Sequence, residues 1–469
     1  MGLRKEFDVP QPMSFSARLD TPKIVTLALW GVLGSLPIVV LISRIAGVPI
    51  EGLAIIISAL TLFAGALVAT YSNRYMRSDA RSARFFGSLG ALVACVLLFV
   101  LTNNAILFAL AWVASGLLLA GLIGHNEEWI EARAAAERSR RTFLVGDLTV
   151  LGALGLLCWH AGTLRLDVAI AASSAMPEAL VSAIALLLLA GAAARCALPP
   201  FSGWLLSSMT APTPISALMH AGLVNAGGFL LLRFTPVLEA APAARYAAIA
   251  LGFIAALWGI GIMAVRPDIK RSLAGSTVSQ MGFMIMSLGL GAYAAALWHI
   301  VAHGLFKAWL FLNAGSAIGV QADRRPALDS RVVTVIAPTT LAIGCVLALS
   351  GSARGDLVPL LLAAATGAAT LGTILIEKVG SASRLTIAAI LAGLALLHVL
   401  GFELAQAALP IAHAAMLSTS LAIFILATFL GGWVWQSRRI ASRSPLPAPL
   451  YVRLLNAGTL SPALPGERP

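Results

Sequence analysis

Three ionisable side chains recur at every fourth position of one apolar stretch. His299, His303 and Lys307 are separated only by Ile, Val, Ala, Gly, Leu and Phe residues. Because residues four apart share one face of a helix, we expect the three side chains to form a row. Histidine exchanges protons near neutral pH, and a lysine removed from water can do the same. The row predicts a relay for protons or another small cation, with a structural polar seam as the alternative.

The two histidines also have the spacing of a metal-binding pair. No carboxylate or third ligand stands nearby in the sequence, and zinc sites use at least three protein ligands. The cysteines at positions 95, 158, 196 and 345 show neither a CxxC nor a Cys/His spacing. We therefore predict no metal site and no cofactor in this chain.

A second group lies around a run of prolines. Arg195 ends an apolar stretch just before Pro199 and Pro200, and His220 stands in the next apolar stretch, soon after Pro214. Prolines interrupt helices, and interrupted membrane helices line cavities or ion sites. We predict a broken helix near Pro199-Pro200 and place Arg195 and His220 on an ion path. Snorkelling of Arg195 to the membrane surface is the alternative.

Lys270 belongs to a charged cluster that precedes another apolar stretch. Asp268 and Arg271 flank it, which is also typical of a simple surface cluster. Ser276 and Gln280 carry polarity further into the following stretch. We therefore add Lys270 to the predicted ion path, as part of a hydrated lining.

The composition is that of a membrane protein. Of 469 residues, 59% are hydrophobic and 11% are charged, whereas soluble chains are about 25% charged. Repeated apolar stretches of about 18–25 residues predict an all-α polytopic protein in a lipid bilayer. The net charge of +12 is explained by basic loops on the cytoplasmic side, so we expect no nucleic-acid partner.

About fourteen transmembrane helices are predicted. Alternate connections are rich in arginine and lysine, and we call the side of the membrane that receives them the basic side. The positive-inside rule makes it the cytoplasmic side and places both termini there. The charged stretch 125–142 is expected to form a short amphipathic surface helix on that side. The predicted segments are 24–44, 52–70, 84–102, 104–124, 143–160, 178–198, 214–235, 245–264, 271–291, 292–320, 333–350, 357–376, 385–403 and 411–436.

Two long motifs, residues 200–220 and 268–307, resemble the proton-translocating antiporter-like subunits of respiratory complex I and of the multisubunit sodium/proton antiporters. The resemblance covers about residues 84–350 and implies two inverted five-helix units, each with a broken helix and a central ionisable residue. The chain departs from the pattern in three places. Val113 stands where the family has a glutamate after tryptophan, Arg195 replaces a lysine, and residues 333–350 contain no lysine. An arginine keeps its proton, so Arg195 can gate a path but cannot carry a proton along it.

The two units implied by the resemblance are 84–235 and 245–376. The segments themselves predict a cytoplasmic N-terminal segment with two leading helices in 1–83, C-terminal transmembrane helices in 385–436 and a cytoplasmic proline-rich tail in 444–469. The tail is expected to be either disordered or a docking strip.

Three passages, residues 209–229, 299–303 and 450–456, resemble the DabB branch of this family, the membrane subunits of DAB inorganic-carbon transporters. That likeness implies a bacterial inner-membrane protein that couples proton or sodium entry to CO2 hydration and bicarbonate accumulation. The partner implied is a large cytoplasmic subunit of β-carbonic-anhydrase type (the DabA type), which holds the zinc. A proton-pumping subunit of a complex I-like or hydrogenase complex, an Mrp-type antiporter and a non-transporting scaffold are the alternatives.

Overall fold

The computed structural model describes residues 20–317, 329–350, 355–376, 381–409, 418–442 and 446–459. Within these residues every named element is helical, and fourteen helices are long and apolar enough to cross a membrane. The predicted all-α polytopic fold and its helix count are confirmed. The helices are α1 (Thr21–Ile45), α2 (Gly52–Tyr75), α3 (Ser82–Leu101), α4 (Ala105–Ile123), α5 (Ile130–Ala161), α6 (Leu166–Ala171), α7 (Glu178–Arg195), α8 (Gly203–Ser207), α9 (Thr213–Ala221), α10 (Ala226–Arg233), α11 (Thr235–Glu239), α12 (Pro242–Val265), α13 (Ile269–Leu290), α14 (Tyr293–Leu312), α15 (Ser330–Leu349), α16 (Leu357–Ile376), α17 (Ser381–Ala407), α18 (Thr419–Ser442) and α19 (Ala448–Leu455).

The main apolar core lies among α2 to α14, while α15, α16 and α18 form smaller clusters beside it. Helices α1 and α17 lie at the margin, since only 6% of each span is buried inside the protein. Each of the predicted units, 84–235 and 245–376, contains five membrane spans. The inverted relation between the two units and their exact boundaries stay predictions.

Small residues let the helices that carry the site approach closely. Gly259 of α12 faces α13 so tightly that a Cβ on it would lie 2.2 Å from the backbone nitrogen of Ser279. Gly282 of α13 meets the backbone of Ala256 in the same way, at 2.5 Å. Close packing of this kind holds membrane helices together where lipid supplies no hydrophobic drive. It fixes α13 against the bundle and therefore positions the side chains of α13.

Helix α5 differs from the expectation for residues 125–142. The structure has one helix of 32 residues, Ile130–Ala161, that begins in the charged stretch and continues through the membrane. No glycine or proline separates residues 130 and 145, so nothing in the backbone ends the surface part before the span. The surface stretch and the span are one rigid element.

The interruption near Pro199-Pro200 is present, but it is not the only one. Helix α7 ends at Arg195, and the chain stays irregular until the short α8 begins at Gly203. A second break, which the sequence analysis did not predict, divides the next span between α9 and α10 at Gly222. The freed Ala221 carbonyl accepts a 2.9 Å hydrogen bond from Nδ2 of Asn225. The break is therefore satisfied by a side chain of its own segment.

The tail is ordered over residues 446–459, where it forms α19 and a following turn on the basic side. Leu454 is buried against Gly261 of α12. Arg266 donates a hydrogen bond to the Ala457 carbonyl, and Nη1 of Arg138 lies 3.3 Å from the Gly458 carbonyl. Residues 446–459 therefore pack on the chain itself, while docking of a partner by the tail stays a prediction; positions 444–445 and 460–469 of the predicted tail lie outside the described residues.

Candidate ion-path site

The row predicted on α14 lies inside the protein. His303 and Lys307 are buried, with 6% and 1% of their surfaces exposed, and His299 is half-buried. The rings of His299 and His303 stack with their centroids 5.6 Å apart. The Nε2 atoms of both histidines are enclosed and have no hydrogen-bond partner among the described residues. These atoms can therefore accept or release a proton without breaking a bond that the fold requires.

Lys307 is a buried amine without a counter-ion among the described residues. Its Nζ donates a hydrogen bond of 3.0 Å to the backbone carbonyl of Leu273 on α13. The structure shows no carboxylate within ion-pair distance of it in the described part of the chain. An unpaired charge away from water is costly, by several kcal/mol. Lys307 is thus a buried ionisable group whose positive charge is not neutralised by any described side chain.

His220 joins the row through a hydroxyl group of α13. Its Nδ1 lies 2.9 Å from Oγ1 of Thr277, and the Thr277 hydroxyl lies 3.0 Å from the Leu273 carbonyl. That carbonyl is the one that binds Lys307, so one backbone oxygen connects the two groups. When the Thr277 hydroxyl donates to Leu273, Nδ1 of His220 carries the proton, which leaves its buried and unpartnered Nε2 as an acceptor.

The imidazole of His220 is held in place by an aromatic ring. It stacks on Phe311 of α14, with centroids 4.2 Å apart and planes inclined by 12°. Helices α9 and α14 also touch next to the two histidines, since a Cβ on Gly304 would lie 2.5 Å from the Ala221 carbonyl. His220 immediately precedes Ala221 in the sequence, and His303 immediately precedes Gly304. The close approach brings the histidine of α9 to the row of α14.

Arg195 lies apart from the row, in a buried ion pair. Its Nη2 donates to Oδ1 of Asp147 at 2.9 Å and to the Trp112 carbonyl at 2.7 Å. Only 4% of the Arg195 side chain and 7% of the Asp147 side chain are exposed. The guanidinium also lies over the rings of Trp112 and Phe143, at 4.7 and 4.8 Å. Arg195 does not snorkel to the surface, because its partners lie inside the bundle.

Gly116 makes room for this guanidinium, because a Cβ there would lie 2.7 Å from Nη2 of Arg195. The pair is positioned by α4, α5 and α7, whereas the row is positioned by α9, α13 and α14. No hydrogen bond or ion pair between described residues joins the two groups. A cavity of about 30 Å3 lies beside Gly222 and Asn225, with a lining that is otherwise almost wholly apolar. The structure therefore divides the predicted path into two separate polar groups.

Lys270 is half-buried in the first turn of α13, one turn before Leu273. It forms no hydrogen bond or ion pair with another described residue, while Asp268 caps the helix by accepting from the Arg271 backbone. Lys270 thus lies at the basic end of the helix that carries Thr277. Its predicted part in an ion path stays a prediction.

Two polar residues of this site were absent from the sequence-based prediction. Asp147 is the lone carboxylate in the apolar part of α5, and Thr277 is one of several hydroxyl residues on α13. A buried carboxylate inside a membrane span is itself a signal, because it needs a cationic partner. Within the described ranges, no group of three His, Cys, Asp or Glu side chains has a geometry that holds a metal ion.

Both the sequence and the structure of this chain are similar to those of known membrane proteins. Residues 102–355 match the family described as "NADH:quinone oxidoreductase/Mrp antiporter, TM", and residues 46–86 match "NADH-Ubiquinone oxidoreductase (complex I), chain 5 N-terminus". The structure is similar to the Mrp complex from Dietzia sp. DQ12-45-1b, with a TM-score of 0.55 over 93% of this chain and 52% of that chain. At 23% identity this likeness shows the fold alone.

The curated relatives of this chain are named either as inorganic carbon transporter subunits or as NADH-quinone oxidoreductase subunits. The chain is 37% identical over 275 residues to probable inorganic carbon transporter subunit DabB1 of Halothiobacillus neapolitanus, which is 57% of this chain and 49% of that protein. It is 38% identical over 278 residues to NADH-quinone oxidoreductase subunit L of Mycobacterium tuberculosis, over 58% of this chain and 43% of that protein. The matched part thus spans about half the length of these relatives.

A longer alignment reaches probable inorganic carbon transporter subunit DabB2 of Halothiobacillus neapolitanus, at 32% identity over 88% of this chain and 72% of that protein. The family match covers more than half of the chain, including α9, α13 and α14, which carry the row. The chain therefore belongs to the NADH:quinone oxidoreductase/Mrp antiporter family of multi-pass membrane proteins.

Proposed function

We propose that this chain is the ion-conducting membrane subunit of an energy-coupled inorganic-carbon transporter of a bacterial inner membrane. Protons, or sodium ions, enter along the group formed by His299, His303, His220 and Lys307, and their entry drives accumulation of bicarbonate by a cytoplasmic partner. Both termini lie in the cytoplasm, where the basic side faces that partner. The observation that carries the proposal is the buried row on α14, which is connected to His220 through Thr277 and the Leu273 carbonyl.

The arrangement favours proton transfer over a structural role. A structural seam of buried polar groups is expected to be fully hydrogen-bonded, yet Nε2 of His220, of His299 and of His303 find no partner in the part of the chain that the structure describes. Buried ionisable groups inside membrane spans are rare and are typical of proton relays. Orphaned ring nitrogens beside an unpaired lysine are what a relay needs, because each can take up a proton in turn.

The pair of Arg195 and Asp147 acts as a gate in this scheme. Arginine does not release its proton, so Arg195 holds a permanent positive charge next to Trp112. Its only described ionic partner is Asp147. A cation that nears this pair is repelled by Arg195 unless Asp147 is left free to bind it, so a shift of the ion pair opens or closes the approach.

The carbon substrate is supported by the names of the DabB relatives, which are inorganic carbon transporter subunits. The zinc that hydrates CO2 belongs, in this proposal, to a cytoplasmic subunit of β-carbonic-anhydrase type. A proton-pumping subunit of a quinone oxidoreductase complex or an Mrp-type antiporter is the second candidate, favoured by the 38% identity to subunit L. Both candidates use the same row, and they differ in the soluble protein that the chain binds.

The test is carbon uptake in cells that depend on this chain and its partner. Lys307→Met keeps most of the side-chain volume and removes Nζ, and His303→Leu removes the ring nitrogens. Both variants are expected to abolish bicarbonate accumulation while the complex still co-purifies with a zinc-containing subunit. Lys23→Ala and His160→Ala are matched controls, because both side chains are exposed at helix ends.

Normal uptake in Lys307→Met and His303→Leu refutes the relay. Co-purification of quinone-reducing or iron–sulfur subunits in place of a zinc protein favours the second candidate.

A further inference from the structure

A cavity on the basic side is lined by hydrogen-bond donors. It measures about 310 Å3 and lies between α5, the turn before α8, α12 and the docked tail. Its polar lining comes from Arg138, Thr142, Ser202, Trp258 and the backbone of Gly458 and Thr459. None of the described residues that line it is acidic. The cavity thus offers positive charge and N–H groups without a carboxylate to neutralise them.

The donors of this cavity are incompletely used. Of the guanidinium nitrogens of Arg138, only Nη1 has partners within the described residues, the Gly458 and Thr459 carbonyls at 3.3 and 3.5 Å, and both distances are long. Arg138 forms no ion pair with a described carboxylate, although the guanidinium has five N–H groups. The indole Nε1 of Trp258 is buried and has no hydrogen-bond partner within the described ranges. A buried donor left without an acceptor is costly, by about 1–3 kcal/mol, so a bound acceptor would relieve it.

The tail forms the roof of the cavity. Gly458 adopts a left-handed backbone conformation with φ of 76° and packs on Leu206 of α8. The turn is held from the other side by Arg266, which donates to the Ala457 carbonyl. Arg138 belongs to the first predicted unit and Arg266 to the second. The docked tail therefore contacts both predicted units on the basic side of the membrane.

Two aromatic rings, those of Trp204 and Phe143, lie between the cavity and the buried ion pair of Arg195 and Asp147. Trp204 lines the cavity and donates its Nε1 to the Ala194 carbonyl at 2.9 Å. Its ring meets Phe143 edge to face at 4.8 Å, and Phe143 in turn covers the Arg195 guanidinium at 4.8 Å. A charge placed in the cavity therefore acts on the Arg195 site across two rings.

We propose that this cavity binds a small oxyanion, with the guanidinium of Arg138 and the indole N–H of Trp258 as its donors. A planar guanidinium matches a carboxylate-like anion with two parallel hydrogen bonds. Bicarbonate is the physiological occupant, an identity that rests on the proposed function, whereas the oxyanion site itself does not. A phospholipid headgroup offers the same chemistry from the membrane.

The test is thermal unfolding of the purified full chain in nanodiscs of neutral lipid. Sodium bicarbonate is compared with sodium chloride at equal pH and ionic strength, and a parallel arm adds phosphatidylglycerol to the nanodiscs. Bicarbonate is expected to raise the unfolding temperature where chloride does not. Arg138→Gln is expected to weaken the apparent affinity by at least about tenfold, and Trp258→Phe by about fivefold, as the loss of a charged and of a neutral donor implies.

Arg140→Gln and Trp159→Phe are the matched controls, because both side chains are exposed and lie outside the cavity. Trp258→Phe leaves the tail contacts of Arg138 intact and so separates binding from folding. A response to phosphatidylglycerol alone that both cavity variants weaken supports the oxyanion site and assigns it to lipid.

Equal responses to bicarbonate and chloride with no response to phosphatidylglycerol, or responses that neither cavity variant changes, overturn the proposal. Because the assay uses no ion gradient and no zinc partner, its failure leaves the proposed ion path untouched, and failure of the ion path leaves this result unchanged.

Discussion

Replacement of Asp147 by asparagine is expected to destabilise the protein more than any other change at the Arg195 site. The substitution keeps the size of the side chain and an acceptor oxygen, but it leaves a buried guanidinium without a counter-ion. The Arg195 side chain is 4% exposed and has no other described carboxylate partner. Removal of one partner from a buried ion pair costs about 3–5 kcal/mol. Since the acceptor remains, we expect the lower end, a loss of about 3 kcal/mol.

The opposite substitution, Arg195→Met, is expected to be milder. The carboxyl group left behind can be neutralised by taking up a proton, whereas an arginine cannot lose its own. We expect a loss of about 1–2 kcal/mol, typical of one buried polar group without a partner. The double variant Asp147→Asn/Arg195→Met contains no buried charge, so it should be more stable than Asp147→Asn alone.

The assay is reversible unfolding of the purified chain in mixed detergent micelles, followed by circular dichroism. Asp167→Asn is the matched control, because it breaks a 2.7 Å ion pair with Arg165 that is largely exposed. Exposed pairs contribute about 0–1 kcal/mol. The reasoning is refuted if Asp147→Asn unfolds like the control, or if the double variant is no more stable than Asp147→Asn.

Three further predictions follow from local geometry. Gly116→Ala should destabilise the protein by about 1–3 kcal/mol in the same unfolding assay, because the new Cβ would lie 2.7 Å from Nη2 of Arg195. Gly121→Ala on the same helix is the control. Its Cβ would meet no described atom within 4 Å, so this variant should be neutral or slightly stabilising. Gly304→Ala should lower both stability and ion flux, since its Cβ would lie 2.5 Å from a backbone carbonyl of α9; full flux in vesicles would contradict this. Thr277→Val should reduce ion flux at least about fivefold, which corresponds to the loss of one hydrogen bond of about 1 kcal/mol. Thr277→Ser keeps the hydroxyl group and should restore the flux. Equal flux in both variants would show that the hydroxyl group takes no part in the path.

The fold and the row on α14 were predictable because each depends on local pattern alone. Apolar stretches of membrane-spanning length predict fourteen helices, and the structure has fourteen candidate spans. Spacing by four residues predicts that His299, His303 and Lys307 share one face of a helix. In the structure His303 and Lys307 are buried. Neither inference needs any knowledge of which helices are neighbours in space.

The partners of these residues were not predictable, because they come from distant segments. Asp147 precedes Arg195 by 48 residues, and Thr277 follows His220 by 57. Only the packing of α5 on α7, and of α9 near α13, brings them together. The break at Gly222 was also not predicted, because a glycine interrupts a helix less strongly than a proline. Gly222, Gly227 and Gly228, which follow His220 closely in the sequence, are the signal that could have indicated it.

The measurement that tests the central claim most directly is ion entry into vesicles that contain the purified complex. An inside-negative potential is imposed, and the internal pH is followed with a dye while sodium entry is followed in a parallel sample. We predict entry of one of the two cations with the unaltered chain, and its fall to the rate of protein-free vesicles with Lys307→Met, while Lys23→Ala keeps the full rate. Undiminished entry of that cation through the Lys307→Met complex would contradict the account.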